Sequence, residues 1–383
     1  MTRVVHISSG HETHGGAEKS LVELVMSEKN AGITPHVIVP KHGPLFEKLN
    51  HLGIETKIIR SYQWVTNAGD PSWLRSLLGT IKIIANLVVE PLVGLYTIRH
   101  RIDVVHINSS ATAVGALSAL LLRKSLVWHI REFNSFESGR VLPFSKIQKR
   151  LINKAEMVVA TSRAVLCNYL DILSKDKTRV IYDPVTLGEE KDISPKFDSP
   201  IITLLSVGII SPAKGQLDLV NAIQQLPLQL QSHISLVFVG KPVDSNYRSE
   251  IVRGLDKCWL AGPAEFYDHI DDPSEKFQSA DIVVVTSKCE SYGRVTVEAM
   301  SAGCLVIGAG NTATEELLSN DRGLIYGNDP IELSATLFNV LSNPKEYTPQ
   351  RENGLFFARE IVEKNYDNAL FLRILNRIPS KVR

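Results

Sequence analysis

Residues 281–308, DIVVVTSKCESYGRVTVEAMSAGCLVIG, contain the pattern that decides the fold. The β-branched run DIVVVTS (281–287) predicts a buried strand, a polar loop with Gly293 follows, and a helix is expected from about Arg294. The apolar run CLVIGAG (304–310) then predicts the next strand. A strand, a helix and a strand in this order form a parallel sheet with a right-handed crossover.

The same alternation runs through both halves of the chain. Further buried strands are predicted at VVHISS (4–9), HVIVP (36–40), DVVHIN (103–108), SLVWHI (125–130), EMVVATS (156–162), ITLLSVG (202–208) and SLVFVG (235–240). Stretches of helical length separate these runs. The predicted fold class is α/β, with doubly wound, Rossmann-like domains whose ligands bind outside the carboxyl ends of the strands.

A polar stretch with two prolines and no hydrophobic periodicity divides the chain near its middle. We predict an N-terminal Rossmann-like domain at 1–187, a linker at 188–200 and a C-terminal Rossmann-like domain at 201–354, with a ligand cleft between the two domains. A C-terminal helical segment at 355–383 is expected to pack back toward the N-terminal domain.

Composition excludes several classes of protein. The 383 residues are 44% hydrophobic and 22% charged, as in soluble globular proteins and unlike disordered or polytopic membrane chains. A net charge of +1 gives no general attraction to nucleic acid. The charge is unevenly spread along the chain. Residues 1–187 carry 23 basic and 15 acidic side chains, whereas residues 188–383 carry 19 basic and 26 acidic side chains. We therefore expect the N-terminal half to face an anionic partner.

The segment Leu77–Ile98 is apolar and nearly long enough to span a bilayer. Polar residues within it, Glu90 among them, argue against a spanning helix. The favoured interpretation is burial in a soluble core. The alternative is an interfacial helix pair on an anionic membrane, flanked by Arg75, Arg99 and Arg101.

Four scattered cysteines form no CxxC pair, which argues against a thiolate zinc site or a disulfide framework. We expect them to behave as small core hydrophobes. The opening residues contain no apolar run of signal-peptide length, so we expect a cytoplasmic protein. Peripheral contact with the inner face of the plasma membrane is kept as an alternative.

Two loops between a strand and a helix have the composition of anion sites. In GHETHGGAE (10–18), Gly15 and Gly16 allow backbone amides to approach an anion at a helix start, although they also suit a plain tight turn. In VGIISPAKGQ (207–216), Lys214 adds a cation beside a glycine, or is simply solvated. The first of these loops is neither GxGxxG nor a Walker motif, which disfavours a dehydrogenase and a P-loop NTPase.

Two glutamates frame the loop and helix after the strand at 281–287. Glu290 precedes the predicted helix and Glu298 lies more than a turn into it. Carboxylates on one wall of a cleft accept hydrogen bonds from the paired hydroxyls of a sugar, and free amides at the helix start favour a diphosphate.

With these motifs together, the chain resembles the retaining glycosyltransferases of family 4, which have the GT-B fold of two Rossmann-like domains. The resemblance covers nearly the whole chain and rests on HGGAEKSL (14–21), DVVHIN (103–108), WHIRE (128–132), VGIISPAKGQ (207–216) and ESYGRVTVEAMSAG (290–303). It implies transfer of a hexose or N-acetylhexosamine from a nucleotide-diphosphate sugar, such as a UDP-sugar, to a lipid-linked sugar acceptor in polysaccharide or glycolipid biosynthesis.

The resemblance implies that the domain at 1–187 binds the acceptor and the domain at 201–354 binds the nucleotide-sugar donor. It also implies roles for single residues. His129 would lie near the reacting sugar, Lys214 would neutralise the departing diphosphate and Glu290 would hold donor-sugar hydroxyls; these are the catalytic candidates. Glu298 would take the ribose hydroxyls. The donor phosphate and sugar would meet the backbone of Gly15, Gly16, Tyr292, Gly293, Arg294 and Val295.

One departure concerns a cation. The family typically has an arginine shortly after the VG dipeptide, whereas Ile209 and Ile210 stand there in this chain. Arg294 and Arg131 are candidate substitutes, and Arg294 is favoured. No D-x-D motif lies on a suitable loop, so we expect no metal and no cofactor beyond the nucleotide sugar.

Two other functions stay open at this point. The missing arginine suits a catalytically weak or inactive GT-B-like subunit of a membrane glycan assembly. A nucleotide-sugar epimerase on the same fold is the other alternative. The expected partners are a nucleotide sugar, a glycan or polyprenyl-diphosphate-linked acceptor and an anionic membrane surface, and not nucleic acid.

Overall fold

The computed structural model describes residues 2–13, 15–133, 139–170, 173–183, 185, 196–270, 272–310 and 312–363. These residues form two compact units that divide between residues 184 and 185. The predicted linker falls largely outside the described residues. Its described end belongs to the second unit, where Phe197 is buried in the core and the Lys196 Nζ donates to the Ala280 carbonyl at 2.6 Å.

The first unit is built on a parallel sheet. Its strands are β1 (Arg3–Ile7), β2 (Thr34–Val39), β3 (Glu55–Ile58), β4 (Thr66–Asn67), β5 (Val104–Ile107), β6 (Ser125–Ile130), β7 (Arg140–Val141), β8 (Met157–Ala160) and β9 (Thr178–Val180). Its helices are α1 (Gly16–Asn30), α2 (Pro44–His51), α3 (Ser72–Arg99), α4 (Ala116–Leu121), α5 (Ser145–Ile152) and α6 (Arg163–Cys167). The sheet order is β3-β2-β1-β5-β6-β8-β9, and β4 and β7 form a separate antiparallel pair.

The second unit repeats the plan. Its strands are β10 (Ile202–Val207), β11 (Ile234–Val239), β12 (Glu265–Tyr267), β13 (Ile282–Val285), β14 (Leu305–Ala309) and β15 (Leu324–Tyr326). Its helices are α7 (Gln216–Gln224), α8 (Leu228–Gln231), α9 (Ser245–Leu255), α10 (Ser274–Ser279), α11 (Arg294–Ser301), α12 (Ala313–Leu318), α13 (Pro330–Ser342) and α14 (Thr348–Glu363). The parallel sheet has the order β12-β11-β10-β13-β14-β15, so the strand order reverses between β10 and β13.

The predicted fold class is confirmed: both units are doubly wound α/β domains. Every predicted strand is present, and β6 has the predicted bounds. The central strands are continuous apolar runs because helices cover both faces of a parallel sheet. Val5, Val105 and Val127 are fully buried in the first sheet, as are Leu204 and Val283 in the second.

The C-terminal helix begins earlier than predicted. Helix α14 starts at Thr348 and packs against α11 and β14 within the second unit. The predicted segment 355–383 therefore has its first part in α14, and the remainder lies outside the described residues.

Helix α3 overturns the favoured interpretation of the apolar segment. It is one continuous helix through Pro91, not a helix pair, and it is long and apolar enough, by length and composition, to cross a membrane. Large apolar side chains along one side of it are exposed, so the segment is not buried in a soluble core. The expectation for the cysteines was also wrong in part: Cys304 is buried, but Cys167 is exposed.

Candidate functional site

The carboxyl ends of β10 and β13 bring two predicted site residues together. Doubly wound sheets bind ligands where the strand order reverses, which in this unit is between these strands. Lys214 follows β10 and Glu290 follows β13, and the Lys214 Nζ lies 2.7 Å from Glu290 Oε2. A cation and a carboxylate that are distant in sequence thus form a partly exposed ion pair at the reversal point.

The backbone after β10 fixes the position of Lys214. The Lys214 carbonyl accepts a 2.7 Å hydrogen bond from the Thr286 hydroxyl, which joins the loop to the end of β13. Gly215 has a φ of +67° and caps the start of α7. A Cβ at this position would lie 2.5 Å from the Thr286 carbonyl oxygen. Glycine is therefore required after Lys214 for two reasons: its φ is positive, and a side chain there would collide with Thr286.

Glu290 is held as a carboxylate. Burial by itself raises the pKa of Glu290, but the charge and hydrogen bond of Lys214 oppose that effect. Hydrogen bonds from Ser287 and from the backbone of Gly293 also lower the pKa of Glu290, which lies below its usual value. At neutral pH the side chain is therefore an acceptor for hydroxyl donors.

The predicted donor-binding run lies at the start of α11, as the sequence indicates. Gly293 has a φ of +90° and precedes the helix, which begins at Arg294. Tyr292 is buried, whereas Arg294 and Val295 are only partly buried. The first amides of a helix have no partner within the helix, and an anion is favoured there.

Arg294 and Glu298 contact each other one helical turn apart. The Arg294 Nε lies 3.8 Å from Glu298 Oε1, and both side chains are largely buried. The arginine favoured as a substitute cation and the carboxylate expected to bind ribose are thus one ion pair. The two residues were treated separately in the sequence analysis, although their i,i+4 spacing on a helix predicts such a contact.

The loop that lacks the family arginine is apolar in the structure. Ile209 is exposed, and Ile210 is buried and forms a β-bridge with Pro242. The other candidate cation, Arg131, lies in the first unit. Its Nε donates to Asn108 Oδ1 at 3.0 Å and its Nη1 pairs with Asp183.

The diglycine loop of the first unit lies against a carboxyl group of its own helix. Gly15 caps α1, and Gly16 is its first residue. A Cβ at Gly10 or at Gly15 would lie 1.9 Å or 2.1 Å from a carboxylate oxygen of Glu18. Burial raises the pKa of Glu18, and the neighbouring Glu132 raises it further. Sequence reasoning missed Glu18, which lies within the quoted HGGAE motif.

His129 lies at the end of β6 in a buried row of histidines. Its ring centroid is 5.6 Å from that of His106, whose Nδ1 lies 2.7 Å from His6 Nδ1. His6 Nε2 in turn lies 2.8 Å from the buried Glu28 Oε2. Burial lowers the pKa of His129 and of His106, so both imidazoles are neutral at pH 7.

Polar groups directly after other strands were also missed by sequence reasoning. The Glu132 carboxylate, after β6, accepts 2.7 Å hydrogen bonds from the Ser109 and Ser110 hydroxyls after β5. Thr286 and Ser287, after β13, support the ion pair described above. The sequence signal that could have identified these polar residues is their position at the ends of predicted strands. Within the part of the chain that the structure describes, no group of three or more His, Cys, Asp or Glu is placed to hold a metal ion.

Comparison with known proteins matches each half of the chain to a family model. The model for Glycosyltransferase Family 4 matches residues 14–189, and the model for Glycosyl transferases group 1 matches residues 189–355. The Anabaena protein Alr3699/HepE, crystallised with UDP, has a TM-score of 0.78 at 21% identity over 99% of this chain and 100% of that chain. The predicted GT-B fold is confirmed.

Curated relatives match over shorter regions. The sulfoquinovosyl transferase SQD2 of Arabidopsis thaliana is 25% identical over 75% of this chain and 58% of its own length. The lipopolysaccharide 1,2-N-acetylglucosaminetransferase of Salmonella typhimurium is 36% identical over 27% of this chain and 29% of its own length. The chain thus spans less than two thirds of either relative.

Proposed function

The chain belongs to the family 4 glycosyltransferases, and we propose that it transfers a hexose or N-acetylhexosamine from a nucleotide-diphosphate sugar to a sugar acceptor. The observation that carries the proposal is the Lys214–Glu290 pair at the reversal point of the second sheet, beside the start of α11. A cation, a carboxylate acceptor and the amino end of a helix are together suited to a diphosphate and the hydroxyls of a sugar.

The proposed donor is a UDP-sugar. HepE, which has the same fold, was crystallised with UDP and with UDP-glucose, and this supports a uridine nucleotide. In this proposal Lys214 and the first amides of α11 bind the diphosphate, Glu290 binds sugar hydroxyls and Glu298 binds ribose hydroxyls. Arg294, already beside Glu298, is the proposed substitute for the family arginine.

The proposed chemistry is metal-independent and retains the anomeric configuration. The bond from the anomeric carbon to the diphosphate oxygen breaks, and the acceptor oxygen forms its bond on the same face. The departing phosphate oxygen takes the acceptor proton. Lys214 and the helix amides stabilise the negative charge that develops on the leaving group. In this proposal His129 lies near the reacting sugar, as the family resemblance implies.

The proposed acceptor is lipid-linked, and the reaction belongs to polysaccharide or glycolipid synthesis on the cytoplasmic side of the membrane. The similarity to the Salmonella lipopolysaccharide 1,2-N-acetylglucosaminetransferase supports this class of acceptor. The excess of basic side chains in residues 1–187 also suits an anionic lipid diphosphate.

A donor screen tests the proposal. Thermal unfolding is measured with UDP-, GDP- and ADP-sugars, because a ligand bound at a hundred times its Kd stabilises the native state by about 2.7 kcal/mol. We expect a UDP-sugar to raise the melting temperature of the wild type and of Lys345→Gln, an exposed lysine outside the site. Lys214→Gln should respond much less. No response to any nucleotide sugar would contradict the proposal.

A non-catalytic GT-B subunit is the second candidate, and the apolar Ile209 where the family has arginine favours it. Such a protein would respond to a UDP-sugar in the donor screen without releasing UDP in the presence of acceptor. An epimerase would instead convert the donor sugar without acceptor. Product analysis with and without acceptor therefore separates the three functions.

A further inference from the structure

Helix α3 presents an apolar face to solvent. We define the α3 face as nine large apolar side chains, each at least half exposed: Trp73, Leu77, Ile81, Ile84, Leu87, Val88, Leu92, Leu95 and Ile98. Apart from the adjacent Leu87 and Val88, they recur every three or four residues, and all of them lie on one side of the helix. At 1.5 Å per residue the face is roughly 37 Å long. Exposed apolar patches of such extent mark interaction surfaces.

The charged residues of α3 that precede Arg99 point away from this face. Arg75 Nη1 donates to the Asp70 carbonyl at 2.8 Å, and Lys82 Nζ donates to the Val65 carbonyl at 2.7 Å. Glu90 is buried, and its carboxylate accepts hydrogen bonds from amides at the start of α4. The α3 face is thus uncharged as far as Arg99, and the guanidinium of Arg75, which was predicted to flank an interfacial helix, is hydrogen-bonded to backbone carbonyls just before α3.

The opposite side of α3 packs on the first unit. Asn86, Val93, Tyr96 and Thr97 are buried there, and an added Cβ at Gly79 would lie 2.8 Å from Pro143. In this fold the helix is attached along its length, so it can lie along a bilayer surface but cannot cross the bilayer. An amphipathic helix that lies in the interface buries its apolar face between headgroups and acyl chains.

Basic side chains lie at the carboxyl end of the α3 face, just after the neighbouring helix α4 and on α5. Arg99 and Arg101 are exposed at its carboxyl end, and Arg123 is exposed after the adjoining α4. Helix α5, which begins just after Pro143, exposes Lys146 and Arg150 and contains no acidic residue. An apolar strip with cations at its edges is complementary to a surface of acyl chains and anionic headgroups.

We propose that the α3 face docks the first unit flat on an anionic lipid bilayer, with Arg99, Arg101 and Arg123 among the headgroups. The exposed Leu117, Leu120 and Leu121 of α4, which packs beside α3, extend the apolar surface. Docking by this face requires neither a nucleotide sugar nor turnover, so it stands or falls separately from the proposed glycosyl transfer.

Vesicle sedimentation tests the docking. The full chain is mixed, without nucleotide, with vesicles of phosphatidylcholine and phosphatidylglycerol. The double variant Val88→Glu/Leu95→Glu places charges at side chains that are 72% and 63% exposed. We expect it to reduce the bound fraction at least about tenfold, because charged side chains are costly at membrane depth. Pure phosphatidylcholine should bind the wild type more weakly.

The matched control is Val243→Glu/Ile331→Glu, at side chains of the second unit that are 72% and 64% exposed. It should bind vesicles like the wild type, and circular dichroism should show all three proteins folded. Equal vesicle binding by the α3 variant and the wild type would overturn the proposal. So would a wild type that ignores vesicles but forms dimers that the α3 variant cannot form.

Trp73 offers a second readout at the amino end of the face. Trp64 and Trp128 are buried, so Trp259→Phe leaves Trp73 as the exposed tryptophan of the four. In that background, anionic vesicles should shift the emission to shorter wavelength and protect it from acrylamide. An unchanged spectrum with vesicles at saturating concentration would contradict insertion of the α3 face.

Discussion

Lys214 and Glu290 form the ion pair on which the proposed donor site depends. The folded-state pKa of Glu290 is below its ordinary value of 4.5, so the pair contributes stability above that value and loses it as pH falls toward the folded-state pKa. The pair is partly exposed, and Glu290→Gln should therefore cost only about 0.2–1 kcal/mol of unfolding free energy at pH 7.

Urea unfolding at two pH values checks this prediction. The difference in unfolding free energy between the wild type and Glu290→Gln should shrink as pH is lowered below the ordinary carboxyl range. A difference that grows on acidification would mean that Glu290 is stabilised in its protonated form, contrary to the ion pair.

Gly215 is required by two separate effects that substitutions can distinguish. A Cβ there meets both a positive φ and the Thr286 carbonyl, whereas Gly32 has a φ of +80° with open space around its Cβ position. Gly262 has open space and no positive φ. Alanine should cost about 1–2 kcal/mol at Gly32, more than that at Gly215 and close to nothing at Gly262.

Urea unfolding of the three alanine variants measures these costs. Equal effects at Gly215 and Gly32 would show that the loop after β10 relaxes away from β13, which would contradict a fixed Lys214.

The sequence was informative about site residues but not about their partners. Lys214 and Glu290 were predicted from their loops after strands together with the family resemblance, and parallel strands place such loops at one edge of the sheet. The Glu18 carboxylate against Gly10 and Gly15 was not predictable, because the motif favours an anion there without saying that α1 supplies one. The histidines near His129 were not predicted either, because His106 and His6 lie on other strands and are distant in sequence.

At the scale of elements, the sequence predicted central strands and missed the edges. Strands β3, β9, β12 and β15 are the outermost strands of the two sheets and were not predicted. They have three or four residues and are largely exposed or half-buried, so they lack the continuous apolar run that marks a buried parallel strand. Their pairing depends on a neighbouring strand and not on their own pattern.

Helix α3 shows the limit of hydrophobicity as a signal. The helix is apolar on both sides, with Val93 and Tyr96 buried on one and Val88 and Leu95 exposed on the other. Such a helix is normally assigned to a core or a membrane. Composition alone cannot say which side the domain covers, and the structure answers this through the buried Glu90 and its contacts with α4.

The buried histidines of the first sheet predict an acid-sensitive unit. Burial and the nearby His100 lower the pKa of His36 to about 4, and burial lowers that of His106 and His129. Below an unfolded-state pKa near 6.5 the unfolded chain binds more protons, so stability falls on acidification. The slope is at most about 1.4 kcal/mol per pH unit for each histidine.

Tryptophan fluorescence follows this unit, since Trp64 and Trp128 are buried in its core. His36→Gln should make the unfolding free energy less dependent on pH between 6.5 and 4, whereas the exposed His51→Gln should leave the dependence unchanged. An identical slope in wild type and His36→Gln would contradict a neutral buried His36.

For the molecule as a whole, the near-zero net charge is an average over two halves of opposite sign. The basic half contains the α3 face, and vesicle binding should therefore weaken as salt is added. The Debye length falls from about 10 Å at 0.1 M salt to about 3 Å at 1 M, so the cations at the edges of the face lose their attraction to lipid. Binding measured against salt should decline without vanishing, because the apolar contribution remains. Binding that does not respond to salt would contradict the proposed role of the arginines.

Sugar transfer by the full chain tests the central claim most directly. Release of UDP and formation of product are measured with the UDP-sugar that stabilises the protein and a lipid-linked acceptor. We predict that Lys214→Gln and Glu290→Gln each lower the transfer rate by about a hundredfold or more, the size of effect seen when an electrostatic group at the transition state is removed. Lys345→Gln should keep the wild-type rate. Equal rates in all four proteins would contradict a catalytic site built on Lys214 and Glu290.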